Sequence, residues 1–373
     1  MKRILHVIAT MPVGGAENVL LTTLRLLDSQ QYQSVVCCIQ NKGVLGAEVE
    51  KLGIKPVELH KLQKGGWDGS IVDDLVELIR REKIDLVHGH LYHANLYARF
   101  AAKRAGVPGV ITVHNTYAKR KWHRQLLNWY LARSTAKIIA VSDSIRDDII
   151  HFDRVAANKV VTILNGIDTA RSQSTLSKAE ARQRLHLPDD ATVLVTIGRL
   201  VEQKGHTVLL QALQQLQANG QRNIHALFVG DGSWRERLQR PADNAGLGAR
   251  VHFLGTRTDI GDILRAGDLY VMPSLWEGLG LALLEGMAAG LPVLASRVGG
   301  MVEVLGEGQY GHLVEPNHPA ALAAALQRLL QQPPALATIA AAGRQRVEDF
   351  SAARMVANIE QVYRAVLPGK NGS

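Results

Sequence analysis

Short, largely apolar runs alternate with longer segments of helical periodicity along most of this 373-residue chain. The runs at 3–9, 86–88 and 193–198 lack the apolar–polar alternation of a half-exposed strand. Strands that are apolar on both faces are typical of a parallel sheet between two layers of helices. The pattern therefore predicts the α/β class, in which each strand is followed by a helix.

The strand–helix pattern stops once and starts again, which indicates two domains. The first series ends at a turn-forming Asn-Gly-Ile-Asp cluster at 165–168, and a polar segment separates it from the strand at 193–198. We predict two doubly wound, Rossmann-like domains at 1–166 and 167–351. Residues 352–373 are expected to form a C-terminal helix that packs back across the first domain.

The composition agrees with a folded protein that lacks a membrane anchor. Hydrophobic residues make up 46% of the chain and charged residues 21%. No apolar run approaches the roughly 18 to 20 residues of a membrane-spanning helix. The apolar run at 4–9 leads into Pro12, so we interpret it as a strand and not as a signal peptide. The adjacent Cys37 and Cys38 are interpreted as packed thiols, and we expect a cytoplasmic protein.

The net charge of +9 is unevenly distributed. No acidic residue occurs between Asp85 and Asp143, whereas nine lysines and arginines do. A basic first half predicts an anionic partner, which could be a phosphorylated substrate, an acidic membrane surface or nucleic acid.

Two glycine-containing loops follow predicted strands and precede predicted helices. Gly14 and Gly15 would let the backbone approach a ligand, and the helix after them offers free N–H groups to an anion. Arg199 and Lys204 are two cations near a helix start, which suits a diphosphate. Taken alone, the first loop also fits a plain βα turn and the second a solvated loop.

A third loop, within 272–293, carries two carboxylates. Glu277 lies in the loop itself, and Glu285 lies about a turn and a half inside the helix that follows. A carboxylate above a phosphate-binding helix start would repel the phosphates unless it binds sugar hydroxyls. The alternatives are a helix-capping role for Glu277 and a polar position in an apolar helix for Glu285.

Together these motifs resemble the retaining GT-B-fold glycosyltransferases of family 4, also called glycosyl transferases group 1. The resemblance rests on Gly-Arg-Leu at 198–200 with Lys-Gly at 204–205, on Pro-Ser-x2-Glu-Gly-x-Gly-Leu at 273–281, and on two glutamates eight residues apart. Shorter similarities cover most of the chain. Val302 departs from the proline that the family often has there, which changes a backbone bend and no functional group. The resemblance implies two Rossmann-like domains that face each other across a cleft.

The same resemblance implies roles for the matching residues. Arg199 and Lys204 would bind the donor diphosphate, Glu285 the ribose, and Glu277 the donor sugar, while His114 would face that sugar. Gly230 and Arg257 belong to loops that would lie beside the base. The expected donor-binding residues are Gly14, Gly15, Arg199, Lys204, Gly230, Arg257, Glu277, Gly278, Gly280, Leu281 and Glu285. The expected catalytic residues are His114, Glu277, Arg199 and Lys204.

We expect neither a metal nor another cofactor. The acidic pairs at 73–74 and 147–148 fall in helical stretches, and no Asp-x-Asp pair ends a predicted strand. Arg199, Lys204 and helix dipoles would instead stabilise the charge of the leaving diphosphate. No carboxylate nucleophile is evident, and the resemblance implies attack on the same sugar face, assisted by the leaving phosphate.

Four histidines, at 88, 90, 93 and 114, lie near the ends of predicted strands. They are compatible with a metal site, with the lining of a sugar cleft, or with packed polar groups.

The basic segment Lys119–Arg133 combines cations with aromatic residues. If it is helical from Trp122 onward, then Trp122, Leu126 and Trp129 lie on one stripe with Arg133. Such a stripe suits an acidic membrane surface, and the alternative is packing against the core. No nucleic-acid reader motif is present, so we expect no nucleic-acid partner.

We therefore predict a retaining, metal-independent hexosyltransferase. It would move a sugar from a nucleotide diphosphate donor to a carbohydrate or lipid-linked acceptor in cell-surface polysaccharide or glycolipid synthesis, peripherally at the cytoplasmic membrane face. The alternatives are a nucleotide-sugar epimerase on the same fold and a non-catalytic nucleotide-binding module at a membrane.

Overall fold

A computed structural model of the chain describes residues 1–62, 67–115 and 122–367. Every pairing between its strands is parallel, which confirms the predicted α/β class. The chain divides into two compact units, of which Met1–Gly166 and Ala352–Ser373 form the first and Ile167–Ser351 the second. Each unit contains one sheet with helices around it.

The first unit contains a seven-stranded sheet. Its strands are β1 Lys2–Ile8, β2 Tyr32–Cys38, β3 Val57–Glu58, β4 Leu86–His90, β5 Gly109–Val113, β6 Lys137–Ala140 and β7 Val160–Thr162. Its helices up to this point are α1 Gly15–Leu26, α2 Gly43–Glu50, α3 Ser70–Arg81, α4 Tyr92–Ala105, α5 Trp122–Ala132 and α6 Asp143–His151. The strand order is β3-β2-β1-β4-β5-β6-β7, so the direction of winding reverses between β1 and β4. This is a doubly wound topology.

The second unit contains a six-stranded sheet. Its strands are β8 Thr192–Ile197, β9 Ile224–Val229, β10 Val251–Gly255, β11 Leu269–Met272, β12 Val293–Ser296 and β13 His312–Val314. Its helices are α7 Lys178–Arg184, α8 His206–Ala218, α9 Arg235–Asn244, α10 Ile260–Ala266, α11 Leu281–Ala288, α12 Gly300–Val304, α13 Pro319–Leu330 and α14 Pro333–Arg346. The order β10-β9-β8-β11-β12-β13 places the reversal between β8 and β11.

The apolar runs become strands because both of their faces are covered. All six residues of β9 and all four of β11 are buried. Helix α3 shows the complementary helical pattern, since Ile71, Leu75, Val76 and Ile79 are buried while Asp73 is exposed. Cys37 and Cys38 are buried, unbridged thiols in β2. Among the described residues, no helix is both long and apolar enough to cross a bilayer.

The C-terminal helix α15, Ala352–Val366, belongs to the first unit. Its Glu360 carboxylate accepts a hydrogen bond of 2.9 Å from the backbone N–H of Asp28. Its buried Tyr363 hydroxyl lies 2.6 Å from the Nδ1 atom of His88 in β4. The helix therefore completes the core of the unit that the first 166 residues build.

The polar segment between the two strand series contains a helix that the hydrophobic pattern did not predict. Helix α7 begins at a capping box, in which the Ser177 hydroxyl accepts from the Glu180 N–H and the Glu180 carboxylate accepts from the Ser177 N–H. The Ser-x-x-Glu spacing at 177–180 was the available signal. The segment contains few apolar residues, so helix α7 gives almost no hydrophobic periodicity by which it could be predicted.

Candidate active site

Loops that carry most of the predicted donor-binding residues follow β8, β9, β10 and β11 at one edge of the second sheet. Because β8 and β11 are adjacent but not consecutive, the topological switch point lies between them. In open α/β sheets, ligands bind outside the carboxyl ends of the strands at this point. Arg199 and Lys204 follow β8, whereas Glu277 follows β11.

An ion pair connects the two loops at the switch point. The Lys204 Nζ atom lies 2.5 Å from Glu277 Oε1, and their side chains are only 17% and 7% exposed. Ser274 Oγ donates to the same carboxylate oxygen at 2.9 Å. The backbones are also joined, because the Leu275 N–H donates to the Gln203 carbonyl at 2.8 Å and Gln203 Nε2 donates to the Trp276 carbonyl at 3.0 Å. The ammonium and the carboxylate are thereby held at fixed positions.

Two glycines let the loops approach this closely. Gly205 has a φ of +63°, and a Cβ atom there would lie 1.9 Å from the Pro273 carbonyl oxygen. Gly299, in the loop after β12, has a φ of +50°, and a Cβ atom there would lie 2.0 Å from the Glu277 carbonyl oxygen. Larger residues at either position would push the Glu277 loop away.

Arg199 differs from Lys204 in that its side chain is exposed and makes no ion pair with the described residues. Its neighbour Gly198 contacts Gly230 closely, since a Cβ atom on Gly230 would lie 2.1 Å from the Gly198 carbonyl oxygen. Gly230 also donates its N–H to the Gly255 carbonyl at 2.8 Å. The loops after β8, β9 and β10 therefore meet at the predicted base-binding position. Arg257, two residues beyond Gly255, pairs with Asp259.

The other carboxylate lies in helix α11, which begins at Leu281 after Gly280 in a left-handed conformation (φ 87°). No described side chain caps this helix start, so its N–H groups remain available to an anion. Gly278 is fixed by its carbonyl, which accepts from the Gly300 N–H at 3.0 Å. Burial raises the pKa of Glu285, and Arg171 opposes that rise. The predicted Glu277 position in the loop and Glu285 position in the helix are both observed.

In the first unit, Gly14 and Gly15 form the N-terminus of α1 after β1. Gly14 is the extended N-cap residue and has no side chain of its own to cap the helix. A Cβ atom on Gly14 would lie 2.3 Å from the Glu17 carboxylate, which is nearly buried over the helix start. The backbone N–H groups are therefore arranged for an anion, with one carboxylate close by.

His114 directly follows β5, at the carboxyl edge of the first sheet. Neither of its ring nitrogens, both buried, has a hydrogen-bond partner among the described residues. Burial lowers its pKa to about 4, so the ring is neutral near pH 7. A neutral imidazole with free donor and acceptor atoms can hydrogen-bond a sugar hydroxyl.

A group of three histidines lies beside it, and its membership differs from the sequence-based grouping. His6 replaces His93, because β1 and β4 are adjacent and place His6 opposite His88. The ligand atoms of His6, His88 and His90 lie within 4.8 Å of one another, and no other such group occurs in the described part of the chain. His88, however, contacts the Tyr363 hydroxyl and the Thr112 hydroxyl with its two nitrogens, at 2.6 and 2.7 Å. These contacts favour packed polar groups over metal ligands.

Helix α5 exposes large apolar side chains to solvent. Trp122 is 73% exposed, Leu126 55% and Trp129 42%, so the predicted stripe faces outward and does not pack against the core. The Arg133 guanidinium lies 3.4 Å from the centre of the Trp129 ring. Lys119, Arg120 and Lys121, the basic part of the predicted membrane segment, lie outside the described residues.

Each unit thus brings its own share of the predicted site together. Arg199, Lys204, Glu277, Glu285 and Gly230 share one sheet edge of the second unit, whereas Gly14, Gly15 and His114 share one edge of the first. Sequence reasoning did not assign Ser274 or Gly299 a role, although both lie in the matched motifs. Their positions inside Pro-Ser-x2-Glu at 273–277 and inside Gly-Gly-x2-Glu at 299–303, one of the shorter similarities to the family, were the signal that could have found them.

Comparison with known proteins agrees with this architecture. The chain is 29% identical, over 332 residues and 84% of each chain, to UDP-Gal:alpha-D-GlcNAc-diphosphoundecaprenol alpha-1,3-galactosyltransferase of Escherichia coli. It is 31% identical to D-inositol 3-phosphate glycosyltransferase of Salinispora arenicola, over 75% of this chain and 68% of that one. Its structure resembles that of Anabaena HepE, solved with UDP and glucose, with a TM-score of 0.87, 24% identity and coverage of 98% and 100%.

The two doubly wound units and the loops at their sheet edges define a GT-B glycosyltransferase, which transfers a sugar from a nucleotide donor. The Glycosyltransferase Family 4 model matches residues 13–171 and the model for glycosyl transferases group 1 matches residues 177–346. The chain belongs to this group 1, family 4 type of glycosyltransferase.

Proposed function

We propose that this protein is a retaining, metal-independent hexosyltransferase that acts on a carbohydrate or lipid-linked acceptor at the cytoplasmic face of a membrane. Its place would be in the synthesis of cell-surface polysaccharide or glycolipid. The relative from Escherichia coli is named for a diphosphoundecaprenol-linked acceptor, and the one from Salinispora arenicola for an inositol phosphate. The first of these names supports a lipid-linked acceptor.

The observation that carries the proposal is the pair of cations at the switch point. Lys204 is ion-paired with Glu277, whose carboxylate also accepts from Ser274 Oγ, whereas the exposed Arg199 has no ion-pair partner among the described residues. These two cations and the helix N–H groups at α11 can stabilise the negative charge that grows on a leaving diphosphate. In this proposal they provide that stabilisation without a divalent ion.

The two glutamates have different surroundings and so different proposed roles. Glu277 is an ion-paired loop carboxylate beside Lys204, where it can accept from donor-sugar hydroxyls and follow developing positive charge. Glu285 lies in α11, where burial raises its pKa, and it can accept from ribose hydroxyls. His114 of the first unit would contribute a neutral hydrogen-bonding ring to the same sugar.

In the proposed reaction, the bond between the anomeric carbon and the diphosphate oxygen breaks and the acceptor oxygen bonds to that carbon on the same face. The acceptor proton passes to the departing phosphate oxygen, so charge and atoms balance. Arg199 and Lys204 hold the diphosphate where it can take the proton. Retention follows because leaving group and nucleophile use one face.

The main experiment separates this proposal from its two alternatives. The protein is incubated with nucleotide sugars, with and without extracts that contain lipid-linked glycans, in excess chelator. We expect nucleoside diphosphate release that depends on acceptor, and a product whose anomeric NMR coupling matches that of the donor. An epimerised sugar without acceptor would support the epimerase, and binding without turnover would support the non-catalytic module.

The membrane part of the proposal rests on helix α5 and its basic flank. Exposed Trp122 and Trp129 beside cations suit the interface of an acidic bilayer. Replacing Lys119, Arg120 and Lys121 by Glu should release the protein from phosphatidylglycerol vesicles at low salt. A control with the same charge change on the same unit, at Lys51, Lys55 and Lys83, should remain bound. If the two variants bind the vesicles equally, the basic segment is an ordinary solvated surface and not a membrane-binding one.

A further inference from the structure

A cavity of about 580 Å³ lies between helices α3 and α4, on the helical layer of the first unit. Its walls combine apolar rings with charged groups, and they consist of Trp67, Gly69, Val72, Asp73, Phe100, Lys103 and Arg104. Volumes of roughly 300 to 1,000 Å³ are typical of sites for small ligands. None of these residues belongs to the predicted donor site, and Trp67 and Gly69 lie in the segment that joins β3 to α3.

Trp67 forms the floor of an aromatic platform and is itself 55% exposed. Its ring stacks on the buried Tyr97, with centroids 5.0 Å apart and planes 17° apart, and Phe100 packs against it edge-on at 5.1 Å. The Tyr97 hydroxyl accepts from the Asp68 N–H at 3.0 Å, which fixes the backbone next to Trp67. The indole is therefore held in place while more than half of its surface remains open to a ligand.

Polar groups surround this platform. The Asp73 carboxylate and the Arg104 guanidinium form an exposed ion pair, and Lys103 Nζ lies 3.2 Å from the Tyr130 hydroxyl. The indole N–H of Trp67 has no acceptor among the described residues. The site thus offers one flat apolar face together with N–H donors and a carboxylate acceptor, all at the surface.

That combination is complementary to a pyranose ring. A pyranose has an apolar face of C–H groups, which packs on an aromatic ring, and a rim of hydroxyls, which both donate and accept hydrogen bonds. A lipid chain would not use the carboxylate, and a bare phosphate would not use the ring. Lys103 and Arg104 are two cations, whereas Asp73 is one carboxylate, so the site carries a net positive charge. This charge favours a glycan that contains an acidic sugar.

The α4 wall of the site lies away from the carboxyl edge of the first sheet. Helix α4 starts just after the carboxyl end of β4, and Lys103 is eleven residues further along, or roughly 16 Å at 1.5 Å per residue. We propose that this cavity is a second glycan-binding site, which takes sugar units of the acceptor remote from the unit that is extended. This inference rests on the proposed function, because it assumes a glycan acceptor.

The test is saturation-transfer NMR and intrinsic fluorescence titration with cellobiose, maltose and a glucuronic-acid disaccharide. We expect Trp67→Ala to weaken saccharide binding at least about tenfold and Trp67→Phe to retain part of the affinity. Asp73→Asn should weaken binding several-fold. Trp122→Ala, which removes an even more exposed tryptophan from the same unit, should leave it unchanged.

Donor binding distinguishes failure of this inference from failure of the proposed function. Trp67→Ala should keep wild-type affinity for a nucleoside diphosphate and wild-type kcat, while the KM for an extended acceptor rises. Saccharide binding that survives Trp67→Ala, or that is absent from the wild-type protein, would overturn the second site. Loss of binding to anionic vesicles in Trp67→Ala, with saccharide binding intact, would also overturn it and assign the cavity to lipid.

Discussion

Lys204 Nζ and Glu277 Oε1 lie 2.5 Å apart across the switch point of the second sheet, although 73 residues separate them in sequence. The lysine ends the loop after β8, and the glutamate belongs to the loop after β11. Each side chain is mostly buried, so each charge depends on the other for compensation. A bound diphosphate would compete with the glutamate for the same ammonium, which couples donor binding to the position of Glu277.

The ion pair predicts a strong coupling in stability. Lys204→Met leaves a buried carboxylate with only Ser274 as partner, and should lower the free energy of unfolding by about 2–3 kcal/mol. The double variant Lys204→Met/Glu277→Gln should recover most of that loss, because no charge remains unpaired. Urea unfolding of the single and double variants measures the coupling. Arg240→Met, which removes the exposed partner of Glu236, serves as control and should change stability by less than about 0.5 kcal/mol. If the changes in unfolding free energy caused by the two substitutions simply add in the double variant, the two side chains are not energetically coupled, which would contradict the ion pair.

Glu285→Gln should weaken donor binding more than turnover. The substitution keeps the size of the side chain and removes a charged acceptor, so the donor KM should rise about ten- to hundred-fold with kcat largely retained.

Glu277→Gln should instead lower kcat far more than it changes KM, because its charge would act on the developing oxocarbenium. Steady-state kinetics and the melting temperature of both variants decide the matter. Equal losses of kcat at constant KM in both would refute this division of roles, and a lower melting temperature with intact kinetics would restore the helix-cap alternative.

Gly205→Ala should damage the site through the backbone alone. The added Cβ atom would lie 1.9 Å from the Pro273 carbonyl oxygen, so the loop that carries Glu277 must move. Gly220→Ala is a matched control, because Gly220 also has a positive φ (+85°) but open space around its Cβ position. We expect Gly220→Ala to lose about 1–2 kcal/mol of stability from backbone strain, and Gly205→Ala to lose more than this and to lose donor affinity as well. Donor binding that is intact in Gly205→Ala would show that the close approach of the loops is dispensable.

The buried histidines predict acid sensitivity of the first unit. Burial lowers the pKa of His6 to about 3 and that of His114 to about 4, from 6.5. Below pH 6.5 the unfolded chain therefore binds protons that the folded chain does not, and stability falls as the pH drops from 6.5 toward 4. Each of the two should cost about 2 kcal/mol of unfolding free energy between pH 7.5 and pH 5. Urea unfolding at both pH values measures this, and His6→Gln should reduce the loss. An unchanged pH slope in His6→Gln would contradict the assignment.

The sequence predicted the α/β class and two Rossmann-like domains because parallel strands buried on both faces leave an unambiguous apolar signature. The same signature cannot report which strands are neighbours. His6 joined His88 and His90 only through the adjacency of β1 and β4, which no local pattern encodes. Likewise, Lys204 and Glu277 were both expected to contact the donor, but their contact with each other arises from the reversal of strand order.

The outward face of α5 shows a different limit. The spacing of Trp122, Leu126 and Trp129 defined one stripe, and a stripe of this kind fits a core as well as a surface. Only the solvent exposure of these side chains in the folded chain could decide between the two, and all three are exposed. Helix α7 was missed for the opposite reason, since its start is encoded by the Ser177–Glu180 capping box and hardly at all by apolar periodicity.

Calorimetric titration of nucleoside diphosphates in excess chelator tests the donor site most directly. UDP, GDP, ADP and dTDP are each titrated into the wild-type protein, Arg199→Ala and Lys204→Ala, with the Arg240→Met variant as control. We predict that at least one diphosphate binds the wild-type protein and the control without added metal, and that either site variant weakens it at least about tenfold, since charge-assisted hydrogen bonds to phosphate are lost. Binding that appears only when magnesium or manganese is restored, or that is equally tight in Arg199→Ala, would contradict a diphosphate held by these two cations.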